Sequence, residues 1–377
     1  MQGDLSLVTP SKVFFTNLRT QPGRNLLDKY ELLMKKAGIE KIDFNNKFTA
    51  IKMHFGEPGN LAFVRPNYAA GLVKKIRALG GKPYLTDCNT LYFGARGNAV
   101  DHLQAAIENG FNYLSTGANV IIADGLSGGD CEEIPINLKH VKNAKVGTVL
   151  AQADVIVSLT HFKGHEATGF GGTLKNVGMG GGSRKGKLEM HSSSKPKIVE
   201  KDCVECGTCI RYCPQKAIAY NERHKAQIDY NLCIGCGQCI ASCHYGAARG
   251  NYDENAVALN EKIAEYAYAI LKDKPQFHIS LIMNVSPNCD CWDNNDMAIV
   301  PDIGMAASFD PVALDRACVE LVNQAIQTPG SLMAERDWKT GKDKFNTLHP
   351  NTRWQDCLNH AEEIGLGTQS YELITIK

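Results

Sequence analysis

No run of apolar residues in this 377-residue chain approaches the ~20 needed to cross a bilayer. The longest, Val155 to Thr160, has strand length. The opening residues, MQGDLSLVTPSKVFF, lack the basic start and apolar stretch of a signal peptide. Neither sign of charge is in excess. The 41 Lys and Arg against 40 Asp and Glu leave a net charge of +1, and nothing in that balance implies nucleic acid or an anionic membrane as partner. No GxxxxGK followed by Ser or Thr occurs, so a phosphate loop of that type is absent, and no GxGxxG follows a strand. The expectation is a soluble cytoplasmic protein with no nucleic-acid partner and no membrane span.

What the chain does have is cysteine: 14 in all, with eight between positions 203 and 243. They form two runs, Cys203-x2-Cys206-x2-Cys209-x3-Cys213-Pro214 and Cys233-x2-Cys236-x2-Cys239-x3-Cys243-His244, offset by 30 residues. This is the spacing of a two-cluster bacterial ferredoxin, in which the fourth cysteine of each run ligates the other cluster. Two [4Fe-4S] clusters are therefore expected. Cys203, Cys206, Cys209 and Cys243 would hold one, and Cys233, Cys236, Cys239 and Cys213 the other. Zinc ribbons do not need this order. Cysteines in iron–sulfur spacing, in a large chain without an export signal, read as thiolate ligands in a reducing compartment rather than as a disulfide scaffold. His244 stands where the motif usually has proline, which is not a ligand.

The remaining residues read as α/β. Ordinary composition, 44% hydrophobic and 21% charged, allows a sizeable core and two or three domains. Helices are expected over Asn25 to Lys36, Tyr68 to Leu79, Asp101 to Asn109, Glu254 to Leu271 and Pro311 to Ile326, the last with Asp310 as N-cap. Strands are expected over Phe48 to Phe55, Pro83 to Asp87, Asn119 to Asp124, Val155 to Leu159 and His278 to Asn284. Such alternation predicts a mainly parallel sheet with helical crossovers. The inferred organisation is one α/β domain in two parts, residues 1–200 and 251–377, with an α+β two-cluster module inserted at 201–250. Residues 164–187, with nine glycines from Gly164 to Gly186, read as a long structured loop.

Ligands of parallel sheets bind at the carboxyl ends of strands. His161, Lys163 and His165 follow one strand end. Lys175 and His191 lie within and beyond the glycine run. Glycines that bare backbone N–H groups, beside lysine and imidazole, suit a small anionic or metal-bound ligand. These five are the candidate catalytic residues: histidines to move protons, lysines to neutralise an anion. His54, Asp87 to Thr90 and Asp124 end other strands, and Arg65 is a possible carboxylate clamp. Cys289 and Cys291 form a C-x-C pair near Asp293, Asp296 and Asp302, suited to a metal or to redox work, although strain disfavours a disulfide at that spacing. Cys88, Cys131, Cys318 and Cys357 look incidental.

Four stretches, taken with the cysteine runs, form a larger pattern: Lys52 to Gly59, Val157 to His165, Gly172 to Asn176, and Asp302 through Ser308 to Asp315. On these the chain resembles the DUF362 family, proteins of uncharacterised function that often contain a ferredoxin module. The family is distantly similar to nickel-pincer lactate racemases, which place histidines and a lysine around an organometallic cofactor. The resemblance therefore implies a further metal or organic cofactor near His161, Lys163, His165, Lys175 and His191. A racemase has no need of two clusters, and that departure favours redox chemistry. The leading expectation is an oxidoreductase that takes electrons from a soluble redox partner through two clusters to a small anionic substrate. The alternatives are a non-enzymatic electron carrier that docks a partner, and a metal-dependent isomerase or racemase.

Overall fold

The computed structural model describes residues 9–91, 94–191, 195–213, 215–233, 238–243, 245–249, 255–336, 339 and 341–377. In chain order its main elements are β1 (Ser11–Asn17), α1 (Leu26–Ala37), β2 (Phe48–Lys52), α2 (Pro66–Ala78), β3 (Lys82–Asp87), α3 (Ala99–Glu108), β4 (Val120–Ile122) and β5 (Val155–His161). Then come α4 (Thr173–Gly181), α5 (Arg184–His191), α6 (Ala256–Leu271), β6 (Gln276–Ile282), β7 (Gly304–Ser308), α7 (Pro311–Gln324), α8 (Trp354–Glu363) and β8 (Tyr371–Thr375).

Eight strands form one sheet in the order β8-β1-β7-β6-β5-β2-β3-β4. β7 runs antiparallel to both neighbours, and every other pairing is parallel. The fold is thus α/β with a mainly parallel sheet. β5 lies inside it with all seven residues buried, which explains its unbroken apolar run. The strand before the cysteine stretch, β5, pairs directly with the strand after it, β6. Helices cover both faces. Tyr30, Leu33, Leu72 and Val73 of α1 and α2 pack on Ile51, Val157 and Leu159. Leu174, Ile263, Leu314 and Leu358 of α4, α6, α7 and α8 pack with Ala50, Ile156 and Ile282. Local signals set the helix starts: Asn25 closes a capping box with Asp28, Pro66 opens α2, and Asp310 accepts from the N–H groups of Val312 and Ala313.

Three sequence expectations need correction. β2 ends at Lys52, so Met53 to Phe55 have left the sheet. β5 runs on to His161. The expected loop over 164–187 is regular structure instead: a hairpin of Lys163–His165 and Gly169–Gly171, then α4 and the start of α5. The glycines there serve packing. A Cβ on Gly178 would lie 2.2 Å from the Ile263 carbonyl of α6, so only glycine lets the two helices approach this closely. Burial in α4 does follow a helical period, over Thr173, Leu174, Val177, Gly178 and Gly181, but glycines fill two of those positions, so apolar side chains alone do not show it. Strands β1, β7 and β8 escaped sequence reading. β7, Gly-Met-Ala-Ala-Ser, has few of the branched and aromatic residues that mark strands.

Within 195–249 the described residues form a small α+β unit. Lys197–Ile198 pairs with Ala248–Arg249 and closes it, while Ile218–Tyr220 and Ala226–Ile228 make a hairpin between two short helices. Cys236, Pro214 and His244 lie outside the described residues.

Gly178→Ala should lower stability by about 1–3 kcal/mol through overpacking, although alanine is the better helix former. Urea midpoints check this. An unchanged or raised midpoint would contradict the close α4–α6 contact.

Candidate functional site

A cavity of about 810 Å³ opens at the carboxyl ends of β2, β3 and β5. His161, Lys163, His165, Lys175 and His191 all line it, joined by His54, Asp87 and Thr90 from other strand ends. Arg65, exposed before α2, and Asp124, buried behind the cavity, are not among the lining residues.

The floor is a buried charge network. Lys52, the one charged residue in an otherwise neutral strand, puts Nζ 2.9 Å from Asp87 Oδ1 and 2.9 Å from Asn176 Oδ1. The Asn176 amide in turn donates to Thr160 Oγ1 at 2.9 Å. Gly180 leaves room for this lysine, since a Cβ there would sit 2.3 Å from Nζ. Burial opposes the charge on Asp87, but Lys52 and the neighbouring imidazoles hold it well below the usual carboxylate range. Arg96 Nε reaches Glu57 Oε2 at 2.6 Å.

A second network centres on Asp290, the middle residue of the C-x-C pair. Lys163 Nζ lies 2.9 Å and His161 Nδ1 3.2 Å from its carboxylate, with His54 Nδ1 at 3.7 Å. Against complete burial, His54, Lys163 and His161 hold Asp290 well below the carboxylate range. The other ring nitrogen of His161 faces the carbonyls of Met283 and Asn284 at 2.9 and 3.2 Å. Both nitrogens therefore face acceptors, and His161 ties the end of β5 to the loop after β6. His54 Nδ1 accepts the Gly56 N–H at 2.9 Å, which leaves its ring proton on Nε2.

Beside Asp290, the ligand atoms of His165, Cys289 and Cys291 all lie within 4.8 Å of one another. Lys175 Nζ is 3.2 Å from Cys289 Sγ. Burial opposes a thiolate at Cys289, but a hydrogen bond from Cys291 and the charges of Lys175 and Lys163 bring its thiol well below the ordinary value. Conversely, the two sulfurs with Asp290 and Glu166 outweigh burial and raise Lys175. Asp293 lines the cavity, whereas Asp296 and Asp302 are spent on the N–H groups of Met297 and Asn284. Sequence reasoning missed Asp290 and Lys52. For Lys52 the available signal was a lone charge in a strand otherwise destined for burial.

In the cysteine stretch, Cys203, Cys206, Cys209 and Cys243 line one small cavity with Ile198, Val204 and Ala226. Cys213, Cys233 and Cys239 belong to the same apolar cluster, which also includes Leu91 and Leu188 from outside that stretch.

A family model described as a domain of unknown function, DUF362, matches residues 49–320. The chain belongs to the DUF362 family. That match spans both charge networks and the whole cysteine stretch of this DUF362 chain. No curated protein matches it. Among solved structures, the lactate racemase apoprotein from Thermoanaerobacterium thermosaccharolyticum aligns at 13% identity with a TM-score of 0.38, over 72% of this chain and 50% of its own. A protein from Thermotoga maritima aligns at 12% identity with a TM-score of 0.41, over 80% of this chain and 58% of its own. This DUF362 chain thus spans about half the length of the racemase.

Burial pushes His278 down to about 3; at His54 and His191, positive neighbours add to burial and the values are again about 3, with His102 also far below 6.5. Unfolded, these rings titrate near 6.5, so as pH falls the unfolded chain takes up protons first. Stability should therefore drop from about pH 6.5 downwards through about pH 3, with Asp87 and Asp290 adding to the loss below about pH 4. Urea midpoints between pH 7 and pH 5 check this, and His278→Gln should flatten the slope. Asp124 and Asp315, which burial pushes up to about 7, act in the opposite sense over this range, so a His278→Gln variant whose slope matches the wild type is the result that would contradict a neutral buried ring.

Proposed function

We propose that this chain is an iron–sulfur oxidoreductase. It takes electrons from a soluble redox partner through two [4Fe-4S] clusters held by residues 201–250, and delivers them to a small anionic substrate in the 810 Å³ cavity. The observation that carries this reading is a shared joint. Arg184, at the start of α5, donates to the Ile240 carbonyl in the cysteine stretch at 3.0 Å. The same guanidinium donates to Leu91 and Gly97 at 3.3 and 2.7 Å, in the segment whose Thr90, Leu91, Gly94 and Arg96 line the cavity. α5 itself ends at His191 on the cavity wall. One buried cation therefore fixes the cysteine stretch to the wall of the proposed site.

The thiols fit the first cluster. Four cysteines share one largely apolar pocket, and burial with three neighbouring sulfurs pushes Cys209 up to about 11. As thiolates they would repel one another without an iron core to balance them. Backbone N–H groups of Ala217 and Ala248 point at Cys213 and Cys243 sulfurs at 3.2 and 3.5 Å, the contacts that tune cluster potential. When bound, such clusters supply single electrons. The chain's own residues hold the substrate and its protons. Lys187 borders the cavity with its charge answered by the Gly180 and Gly182 carbonyls and, among the described residues, by no carboxylate within ion-pair distance. It is the natural partner for an anion, with His191 and His165 on the same wall.

A second reading, a metal-dependent isomerase, would require the trio His165, Cys289 and Cys291 to give up the Lys175 contact and the hydrogen bonds accepted by His165 Nδ1.

Protein purified without oxygen should contain about eight irons and eight sulfides per chain, and Cys209→Ser should lose about half of each. Dithionite should bleach the visible absorption and give a paramagnetic signal. Iron well below four per intact chain would overturn the reading.

A further inference from the structure

The loop after β6 carries two thiols into the cavity wall. Cys289 is buried and Cys291 borders the cavity. With His165 they offer three soft donors within 4.8 Å, the makings of a metal site. Two features count against a resident cation. First, the Lys175 ammonium sits 3.2 Å from Cys289 Sγ, and Lys163 is close behind on Asp290. Positive charge already stands where a metal would have to enter. Second, His165 Nδ1 accepts the N–H groups of Ala167 and Thr168 at 3.0 and 3.2 Å. A neutral ring held this way carries its proton on Nε2 and has no lone pair left for a metal.

The same features suit a reactive thiol pair. The Cys291 backbone N–H donates to Cys289 Sγ at 3.4 Å, and the Cys291 thiol lies in hydrogen-bond contact with the same sulfur. Asp290 Oδ1, 3.5 Å away, opposes a thiolate there, but two ammonium groups and two donors outweigh it. Cationic, partly accessible surroundings are those of reactive cysteines.

We infer that Cys289 and Cys291 form a reversible dithiol–disulfide couple that reduces a small anionic disulfide bound in the cavity. At rest Cys289 holds the negative charge and Cys291 the proton; Cys291, the sulfur in contact with the cavity, attacks one sulfur of the substrate as that proton passes to Cys289. The substrate S–S bond breaks, a mixed disulfide forms on Cys291, and the first half leaves as a thiolate. Cys289 then attacks the Cys291 sulfur, and the second half leaves with the proton as a thiol. The pair has lost two electrons and one proton, and the substrate has gained them. Lys187 and Lys175 hold the anionic groups of the substrate. The C-x-C disulfide is strained and hence easily reduced, so the electron supply sets the direction of the cycle. Two electrons and one proton from a low-potential one-electron donor restore the pair. This return half rests on the electron-transfer reading above; the exchange half does not.

The test uses the oxygen-free, full-length protein and a bis(nitrobenzoate) disulfide, a dianionic chromogenic probe. Wild-type protein should release both coloured halves, and the peptide spanning Cys289 and Cys291 should lose two hydrogens by mass. Cys289→Ser should stop at a stable mixed disulfide on Cys291. The dicationic disulfide cystamine should react about ten-fold more slowly, as expected for a cationic pocket. Labelling confined to other cysteines would overturn the proposal. So would about one equivalent of zinc, nickel or cobalt that Cys291→Ser removes, since the trio would then be a metal site. Exchange that proceeds, followed by failure of the dithionite-reduced protein to restore the thiols, would leave the couple standing and sink the electron-transfer reading instead.

Discussion

Asp290 has no exposed surface, and a buried carboxylate is tolerated only where cations and hydrogen bonds answer it. Here the answer comes from Lys163 beyond β5 and His161 at its end. Satisfying one charge therefore fixes the loop after β6 against the carboxyl end of β5, and the Glu57 N–H, which donates to the Asp290 carbonyl at 3.1 Å, ties the segment after β2 to the same loop. Cys289 and Cys291 flank Asp290 in sequence, so the same constraint sets Cys291 in the cavity wall and Cys289 buried behind it, beside Lys175 and His165. Removing the carboxylate would leave the Lys163 ammonium buried without its counter-charge.

The Lys52–Asp87 pair repeats this logic one strand further along and draws Asn176 of α4 into the floor. α4 can lie there because Gly178 admits α6 and Gly180 admits the lysine head group. Glycines that a sequence reader assigns to ligand binding are thus spent on close packing, and the ligand space lies beside the helix they permit. Arg184 then couples that space to the cysteine stretch through three carbonyls. The proposed flow of electrons follows this joint, from thiols in one unit towards thiols and imidazoles in the other.

Much of this was legible in the residues alone. The parallel sheet showed in alternating apolar runs, and helix starts showed in Asn25, Pro66 and Asp310. The site showed in His161, Lys163 and His165 following a strand, because strand ends in such sheets converge on one edge. The parts that were not legible depend on tertiary packing. β7 is made of small residues whose strand character comes from neighbours on both sides. α4 is a helix against its own propensity, held by burial and by Asp315, which accepts from the Thr173 and Leu174 N–H groups at 2.6 and 2.9 Å. Asp290 looked like a spacer between two cysteines, because nothing local says that a loop aspartate will be buried.

The account stands on the coupling between Asp290 and the cation that meets it. A double-mutant cycle with Asp290→Asn, Lys163→Met and their combination, read by urea unfolding without oxygen, tests it most directly. Each single change should cost about 3 kcal/mol or more, because it strands the other charge in the interior. The double variant should recover much of that loss, giving a coupling energy of about 2 kcal/mol. A coupling energy indistinguishable from zero would mean that the two charges do not hold the loop, and that the site is organised by something else.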